Sequence, residues 1–214
     1  MKIGVFDSGV GGLSVARAID KDLPQHEVLF VNDSQNVPYG TKTPDELFEI
    51  VLPIIRKLAK TCQVIVVACN TVSTTLIERL RADIPVPLIA MEPMVKPAAG
   101  QTKSGVIAVC ATPTTLTSKR YKRLKHEYAK NVKVLEPDCS EWMLMIEKKA
   151  VDRNKIADRI DTVCDQGADV IVLGCTHFHW IEELVKSVAK GRAKVLQPEV
   201  PVITELKRVL AQLS

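Results

Sequence analysis

The sequence of 214 residues is poor in aromatic side chains, which make up only 4% of it. Proteins that bind single-stranded nucleic acid stack bases on exposed aromatic rings, so this shortage argues against a nucleic-acid partner. No apolar run approaches the length of a membrane span, and the N-terminus lacks an apolar stretch long enough for a signal peptide. We therefore expect no membrane partner and a cytoplasmic location.

Metal and cofactor motifs are also missing. The six cysteines include no Cys-x-x-Cys pair and no spaced set of three or four metal ligands, so we predict no metal site and reduced thiols. The glycines at positions 9–12 do not complete a dinucleotide-binding fingerprint, and no lysine lies in a cleft motif as a pyridoxal enzyme would require. The formal net charge of +4 is compatible with a small anionic substrate.

Short β-branched runs alternate with amphipathic stretches along the whole chain, a pattern typical of parallel sheets covered by helices on both faces. The pattern also repeats. Ile3 and Ile107 are 104 residues apart, and Cys69 and Cys175 are 106 residues apart. The sequence therefore predicts an α/β fold with two similar lobes, each a parallel sheet flanked by helices, related by pseudo-twofold symmetry.

We expect residues 1–96 plus 203–214 to form the first lobe and residues 97–202 to form the second. Pro97, Gly100 and polar neighbours suggest a connector over residues 96–103, and residues 203–210 have the apolar stripe of a helix that returns to the first lobe. Ligands of open α/β sheets bind beyond the carboxyl ends of the strands. The active site is accordingly predicted to lie between the two lobes.

Two cysteines stand at the ends of predicted buried strands, in VIVVACNT and VIVLGCTH. Most cysteines in such positions simply fill a core. Cys69, however, is followed by the helix-opening residues Asn70 and Thr71, and Cys175 is followed by Thr176. A thiol near a helix N-terminus is stabilised as a thiolate. The matched pair favours a catalytic interpretation over a packing one.

Two further polar residues are candidates for moving protons to and from these thiols. His177 lies two positions after Cys175, and Asp7 ends the first predicted strand. Imidazole and carboxylate groups are common general acids and bases. A carbon that loses a proton to one thiolate and gains a proton from the other thiol on its opposite face inverts its configuration. The sequence therefore suggests a racemase with two acid–base cysteines.

The motifs DSGVGGLSV, VPYG, VVACNTVS, MEP and LGCTH, in this order and spacing, closely resemble those of glutamate racemases of the aspartate/glutamate racemase superfamily. The resemblance implies cofactor-independent interconversion of L- and D-glutamate, a supply of D-glutamate for peptidoglycan, and a homodimer. By position it implies that Cys69 and Cys175 are the catalytic bases, assisted by Asp7 and His177. Within the same pattern, His179 stands where the family usually has proline.

The resemblance also implies a set of substrate contacts. They are Asp7, Ser8, Pro38, Tyr39, Gly40, Asn70, Thr71, Thr112, Thr114, Thr115 and Thr176. Glu147 matches a glutamate near the family's active site, although a solvated helical residue is an equally good interpretation. An aspartate racemase of the same superfamily and a non-catalytic homologue that retains the cleft remain alternatives.

Overall fold

The computed structural model describes residues 1–213, which divide into two compact units. The first unit comprises Met1–Glu92 and the segment that begins at Glu199, and the second comprises Pro93–Pro198. The boundaries between the units follow Glu92 and Pro198, each four residues before the boundary that the sequence predicted, after residues 96 and 202. Each unit contains a four-stranded parallel sheet flanked by helices, so the predicted α/β class with two similar lobes is confirmed.

The elements follow one another in regular alternation. The strands are β1 (Lys2–Asp7), β2 (Glu27–Asn32), β3 (Val64–Val67), β4 (Leu88–Ala90), β5 (Val106–Cys110), β6 (Lys133–Leu135), β7 (Val170–Leu173) and β8 (Lys194–Leu196). The helices are α1 (Gly12–Asp22), α2 (Pro44–Ala59), α3 (Asn70–Asp83), α4 (Val95–Gln101), α5 (Pro113–Thr117), α6 (Lys119–Tyr128), α7 (Trp142–Glu147), α8 (Arg153–Asp165), α9 (Glu182–Ala189) and α10 (Glu199–Leu213). Two short 3-10 helices cover Tyr39–Thr41 and Thr176–Ile181. Among residues 1–213, none of the helices has the length and apolar character required to span a bilayer.

The two sheets have the same topology. Their strand orders are β2-β1-β3-β4 and β6-β5-β7-β8, with parallel pairing throughout. The third strand of each unit, β3 or β7, is therefore an interior strand with a neighbour on each side. Cys69 lies two residues after the end of β3, and Cys175 lies two residues after the end of β7. The repeat seen in the sequence thus corresponds to equivalent positions in the two sheets.

Alternate side chains of the interior strands enter two different cores. In the first unit Val64 and Val66 pack with α1 and α10, whereas Ile65, Val67 and Cys69 pack with α2 and α3. This alternation is the two-residue period of a strand that is buried on both faces. It places the Cys69 side chain on the α2–α3 face of its sheet.

The second unit is layered in the same way. Ile171, Leu173 and Cys175 pack with α7, α8 and α9, whereas Val170 and Val172 pack with α4 and α6. Cys175 therefore occupies the same layer of its unit as Cys69 does in the first. Each thiol is the last side chain of its strand segment that packs in the core, and the polar residues of the following helix begin directly after it.

The predicted connector over residues 96–103 is wrong, because most of this segment is helical. Helix α4 packs against α6 and β7, and its Val95 and Ala98 are buried in the second unit. Pro97 lies in the first turn of α4, where a missing backbone N–H removes no helical hydrogen bond. Proline and glycine content was therefore a misleading signal here.

Helix α10 packs on the first unit, against α1, β3 and β4. It is longer at both ends than the predicted helix over residues 203–210. Its buried stripe consists of Val202, Ile203, Leu206, Val209 and Leu210. These side chains complete the core on the face of the sheet opposite Cys69.

We expect Leu206→Ala to lower the free energy of unfolding of the protein by about 2–5 kcal/mol, because a fully buried leucine leaves a cavity when truncated. Leu213→Ala in the same helix is the matched control, since Leu213 is 43% exposed, and its effect should be within about 0.5 kcal/mol. Urea unfolding followed by circular dichroism measures both. Equal losses in the two variants would contradict the packing of α10 described above.

Candidate active site

The thiol of Cys69 lies at the N-terminus of helix α3. Cys69 is the N-cap residue, with an extended backbone, and its side chain is buried. The backbone N–H groups of Thr71 and Val72 are directed at the sulfur. These are amides of the first helical turn, which have no partner within the helix. The strand-to-helix turn predicted from the Cys-Asn-Thr motif is therefore present.

The surroundings of Cys69 favour the protonated thiol. Burial, and secondarily the negative charge of Asp7, raise the pKa of Cys69 to about 12. Ser8, whose Oγ lies 3.4 Å from Sγ, acts in the opposite direction together with the two amides, because all three can donate hydrogen bonds to a thiolate. The resting group is thus the protonated thiol.

Asp7 is completely buried at the end of β1. Its Oδ2 accepts a hydrogen bond of 2.7 Å from the backbone N–H of Gly12, at the start of α1. A Cβ atom at position 12 would lie only 2.4 Å from the Cβ of Asp7, so any larger residue would displace the carboxylate. Gly12 therefore has a role that the sequence did not reveal: it allows the helix to approach and hold Asp7.

Tyr39 is held beside Asp7 and Cys69 by Asp33. The Tyr39 hydroxyl donates a hydrogen bond of 2.6 Å to Asp33 Oδ2, and the side-chain amide of Asn36 donates to both oxygens of the same carboxylate. Burial and the Asp33 carboxylate raise the pKa of Tyr39, with smaller contributions from Cys69 and Asp7. Tyr39 and Cys69 also pack in the same buried core, and the charge of Asp7 raises the pKa of both.

Asp33 was not predicted as a site residue, although one signal could have identified it. It directly follows β2, Asp7 ends β1, and these two strands are neighbours in the sheet. Carboxyl ends of adjacent parallel strands lie at the same edge. Of the other predicted contacts in this loop, Pro38 precedes the 3-10 helix and its carbonyl accepts from Thr41, while Gly40 lies within the helix.

The side-chain amide of Asn70 is buried at the first position of α3. Within residues 1–213, neither its nitrogen nor its oxygen has a hydrogen-bond partner. An unsatisfied buried amide costs about 1–3 kcal/mol, and such groups call for an explanation. Beside Cys69, a ligand with both donor and acceptor groups would satisfy it.

The second unit presents Cys175 in a different setting. Gly174, between β7 and Cys175, packs closely on the end of β5, where a Cβ would lie 3.1 Å from the Cβ of Ala111. The segment that begins at Thr112 is thereby brought beside the thiol segment. The helix after Cys175 is a 3-10 helix over Thr176–Ile181, and not the α-helix start that the sequence suggested.

His177 and Glu147 form a relay behind Cys175. His177 Nδ1 lies 3.7 Å from Cys175 Sγ, and its Nε2 lies 2.6 Å from Glu147 Oε1. An ionised carboxylate can only accept, so Nε2 carries a proton and Nδ1 faces the sulfur. His177 is buried and Glu147 is 30% exposed. Of the two interpretations of Glu147, contact with the predicted site is the one that fits this geometry.

Packing between α7 and the 3-10 helix fixes this relay. Trp142 on α7 makes an edge-to-face contact with Phe178, at 5.1 Å between ring centroids. Both rings are buried, and aromatic pairs of this geometry stabilise by about 0.5–1.5 kcal/mol beyond their buried area. The contact packs α7 against the 3-10 helix, and these two elements carry Glu147 and His177.

The predicted threonine contacts other than Thr71 lie in or next to short helices. Thr112 caps α5, accepting from the Thr115 backbone N–H while its hydroxyl donates to Thr115 Oγ1 at 3.0 Å. Thr114 is half-buried in the same helix, and Thr176 is buried beside Cys175. Burial lowers the pKa of His179, two residues beyond His177, with an opposing contribution from Glu182.

The predicted residues therefore gather into two clusters. Asp7, Ser8, Tyr39 and Cys69 lie together in the first unit, where the backbone of Thr71 joins them. Cys175, His177 and Glu147 lie together in the second unit. Each cluster combines one thiol with a carboxylate, and each can store, release or accept a proton.

Comparison with known proteins identifies the family of the chain. Residues 11–207 match the family model described as Asp/Glu/Hydantoin racemase. The chain belongs to this family and is an amino-acid racemase, an isomerase. Among curated relatives, the glutamate racemase of Ectopseudomonas mendocina is 37% identical over 216 residues, covering 98% of this chain and 82% of the relative.

Solved structures of glutamate racemases share the fold. The Escherichia coli enzyme, determined in complex with L-glutamate and the activator UDP-MurNAc-Ala, has 27% sequence identity and a TM-score of 0.88, with 98% of this chain and 82% of that chain covered. The Francisella tularensis enzyme, in complex with D-glutamate, has 26% identity and a TM-score of 0.83, with coverages of 99% and 81%.

We expect Asp7→Asn to lower the pKa of Cys69, because the substitution removes a negative charge that opposes thiolate formation while an amide oxygen can still accept from Gly12. Alkylation of Cys69 at pH 8 should become about tenfold faster for each unit by which the pKa of Cys69 falls, since the thiolate is the reactive form. Peptide mass spectrometry of iodoacetamide-treated protein measures the rate for this cysteine alone.

The matched control is Asp20→Asn, which removes the same charge from an exposed position on α1. Its alkylation rate at Cys69 should equal that of the parent protein. Slower alkylation in Asp7→Asn than in the parent would show that Asp7 does not oppose the thiolate.

Proposed function

We propose that this racemase interconverts L- and D-glutamate with Cys69 and Cys175 as its two acid–base groups, without a cofactor, and supplies D-glutamate for peptidoglycan synthesis. The observation that carries the proposal is the equivalence of the two thiols. Each follows the third strand of a sheet by two residues, and each lies in the corresponding layer of its unit.

Inversion at an α-carbon explains why two such groups are needed. The proton must leave one face of the carbon, and a new proton must arrive at the other face. A single group that returned its proton to the same face would regenerate the starting enantiomer. Two thiols, one ionised and one protonated, meet this requirement and exchange their protonation states after each turnover.

The first cluster supplies a way to ionise Cys69 only when substrate is bound. With Asp7 beside it, the thiol holds its proton near neutral pH. The α-ammonium group of an amino acid placed next to Asp7 would neutralise that repulsion and lower the pKa of Cys69. Ser8 and the amides of Thr71 and Val72 would then stabilise the thiolate by hydrogen bonds.

The second cluster ionises Cys175 by a different route. Proton transfer from the thiol to Nδ1 of His177 would give a thiolate next to an imidazolium, and Glu147 stabilises the positive ring through Nε2. This arrangement makes His177 a general acid–base group. Glu147 is a positioning residue, since it acts through His177.

The choice of glutamate as substrate rests on the relatives of this chain. The curated relatives that are 35–38% identical to this chain bear the name glutamate racemase. Asn70, with a free buried amide, is our candidate for recognition of substrate polar groups, together with the threonines at positions 71, 112, 114, 115 and 176.

Proton exchange in heavy water tests the reaction. We expect the parent protein to convert each enantiomer of glutamate into the other with one deuterium at the α-carbon, and to act on aspartate much more slowly. Cys69→Ser and Cys175→Ser should abolish racemisation without unfolding, because serine is nearly isosteric but far less acidic. Chiral chromatography with mass spectrometry measures both the product and its isotope content.

A glutamate analogue with a good β-leaving group separates the roles of the two thiols. The remaining cysteine in each variant can still remove a proton from one enantiomer, and elimination then replaces reprotonation. We expect Cys175→Ser to eliminate the D form through Cys69, and Cys69→Ser to eliminate the L form through Cys175. The same preference in both variants, or racemisation at the parent rate in either, would refute the two-base assignment. Faster exchange with aspartate than with glutamate would refute the substrate.

We expect Glu147→Gln to lower the rate of the step served by Cys175 by roughly a hundredfold, because the neutral amide stabilises the His177 imidazolium less well. The KM for glutamate should change little. In the elimination assay, this substitution should slow reaction of the L form and leave reaction of the D form near the parent rate.

Glu141→Gln is the matched control for this substitution. Glu141 adjoins the same helix but forms an exposed ion pair with Lys155, so its removal should leave both elimination rates unchanged. A Glu147→Gln variant that slowed both enantiomers equally would indicate a general structural role for Glu147.

A further inference from the structure

A cavity of about 470 Å³ lies beside helix α6 in the second unit, and we call it the α6 cavity. Its polar lining includes Lys122, Lys125, His126 and Lys130, and its apolar lining includes Leu116 and Ala129. None of these residues belongs to the two clusters of the candidate active site. The volume lies in the range of sites for small organic ligands, which is about 300–1,000 Å³.

The charge around the α6 cavity is not balanced. Three lysines line it against a single carboxylate, Glu136, whose Oε1 already accepts from Lys125 Nζ at 2.7 Å and from the Tyr121 hydroxyl at 2.8 Å. In the described part of the chain, Lys122, His126 and Lys130 have no hydrogen bond or ion pair from their side chains. An anion entering the cavity would therefore meet donors that are not already engaged.

The base of the cavity is formed by the side chain of Tyr121. Tyr121 is fully buried, and its hydroxyl is fixed by Glu136. Helix α6 packs on α4, where Lys96 lies 4.9 Å from the centre of the Tyr128 ring. The feature is an open concave surface in which exposed Lys122, His126 and Lys130 surround buried Tyr121 and Ala129.

We propose that the α6 cavity binds a small organic phosphate. The phosphate group is held by Lys122 and Lys130 with His126, since lysine binds phosphate oxygens through charge-assisted hydrogen bonds. The apolar part of the ligand lies against Leu116 and Ala129. The proposal concerns a site apart from the racemisation chemistry, and it holds or fails independently of the function proposed above.

Phenyl phosphate is the probe, because it joins a phosphate monoester to an apolar ring. We expect isothermal titration calorimetry of the full chain at low ionic strength to give saturable binding of one equivalent. The double substitution Lys122→Gln with Lys130→Gln should weaken that binding by roughly tenfold or more, the effect of losing charge-assisted contacts. Inorganic phosphate should bind more weakly than phenyl phosphate, because it leaves the apolar lining unused.

Lys119→Gln with Lys133→Gln provides the matched control. This pair removes the same net charge from exposed residues of the same unit that do not line the cavity. Its affinity for phenyl phosphate should stay within about threefold of the parent, since exposed charges outside the cavity are screened by salt. Equal weakening by the two double substitutions would mean a diffuse basic surface and would overturn the proposal.

Two other results would also overturn it. The first is the absence of saturable phenyl phosphate binding to the parent protein. The second is binding of a duplex oligonucleotide that depends on Lys119 and Lys133 as strongly as on Lys122 and Lys130, which would identify the α6 surface as a solvated basic face. Equal affinities for inorganic phosphate and phenyl phosphate would contradict the organic part of the assignment.

Discussion

Burial of both faces of a parallel sheet is the constraint on which the rest of this structure depends. A strand covered by helices on both sides must be apolar along its length, as β3 and β7 are, so polar chemistry can begin only where the strand ends. Asp7, Cys69 and Cys175 all occupy such positions. Each is buried enough to feel a low dielectric and close enough to a helix or loop to find hydrogen-bond donors.

The same topology produces two chemically different thiol sites. Cys69 has amides of a long α-helix and the repelling charge of Asp7, whereas Cys175 has a 3-10 helix and the His177–Glu147 pair. In the first site burial and the charge of Asp7 raise the pKa of the thiol. In the second site His177 Nδ1 lies 3.7 Å from the sulfur. The two halves of the fold thus place equivalent thiols in different chemical surroundings.

Local pattern was sufficient for the α/β class and for most of the helices and strands. The period of two along buried strands, the helix-opening residues after Cys69, and the spacing of about 104–106 residues all predicted the repeated α/β plan. These signals depend on residues that are close together in the chain, and they can therefore be recognised from the sequence. Composition was less reliable: Pro97 and Gly100 suggested a connector, yet the apolar face of Val95 and Ala98 makes α4 part of the second core.

The sequence by itself determined the fold class, the repeat, and the thiols at strand ends, because apolar periodicity and helix-start chemistry are local properties. Only the tertiary structure decided that Glu147 supports His177, that Asp33 holds Tyr39, and that Gly12 makes room for Asp7. The Glu147–His177 contact joins residues separated by 30 positions, through helices whose relative placement depends on packing such as that of Trp142 on Phe178. No local sequence pattern predicts the distance between Glu147 and His177. That distance depends on how the side chains between the two helices fill the core.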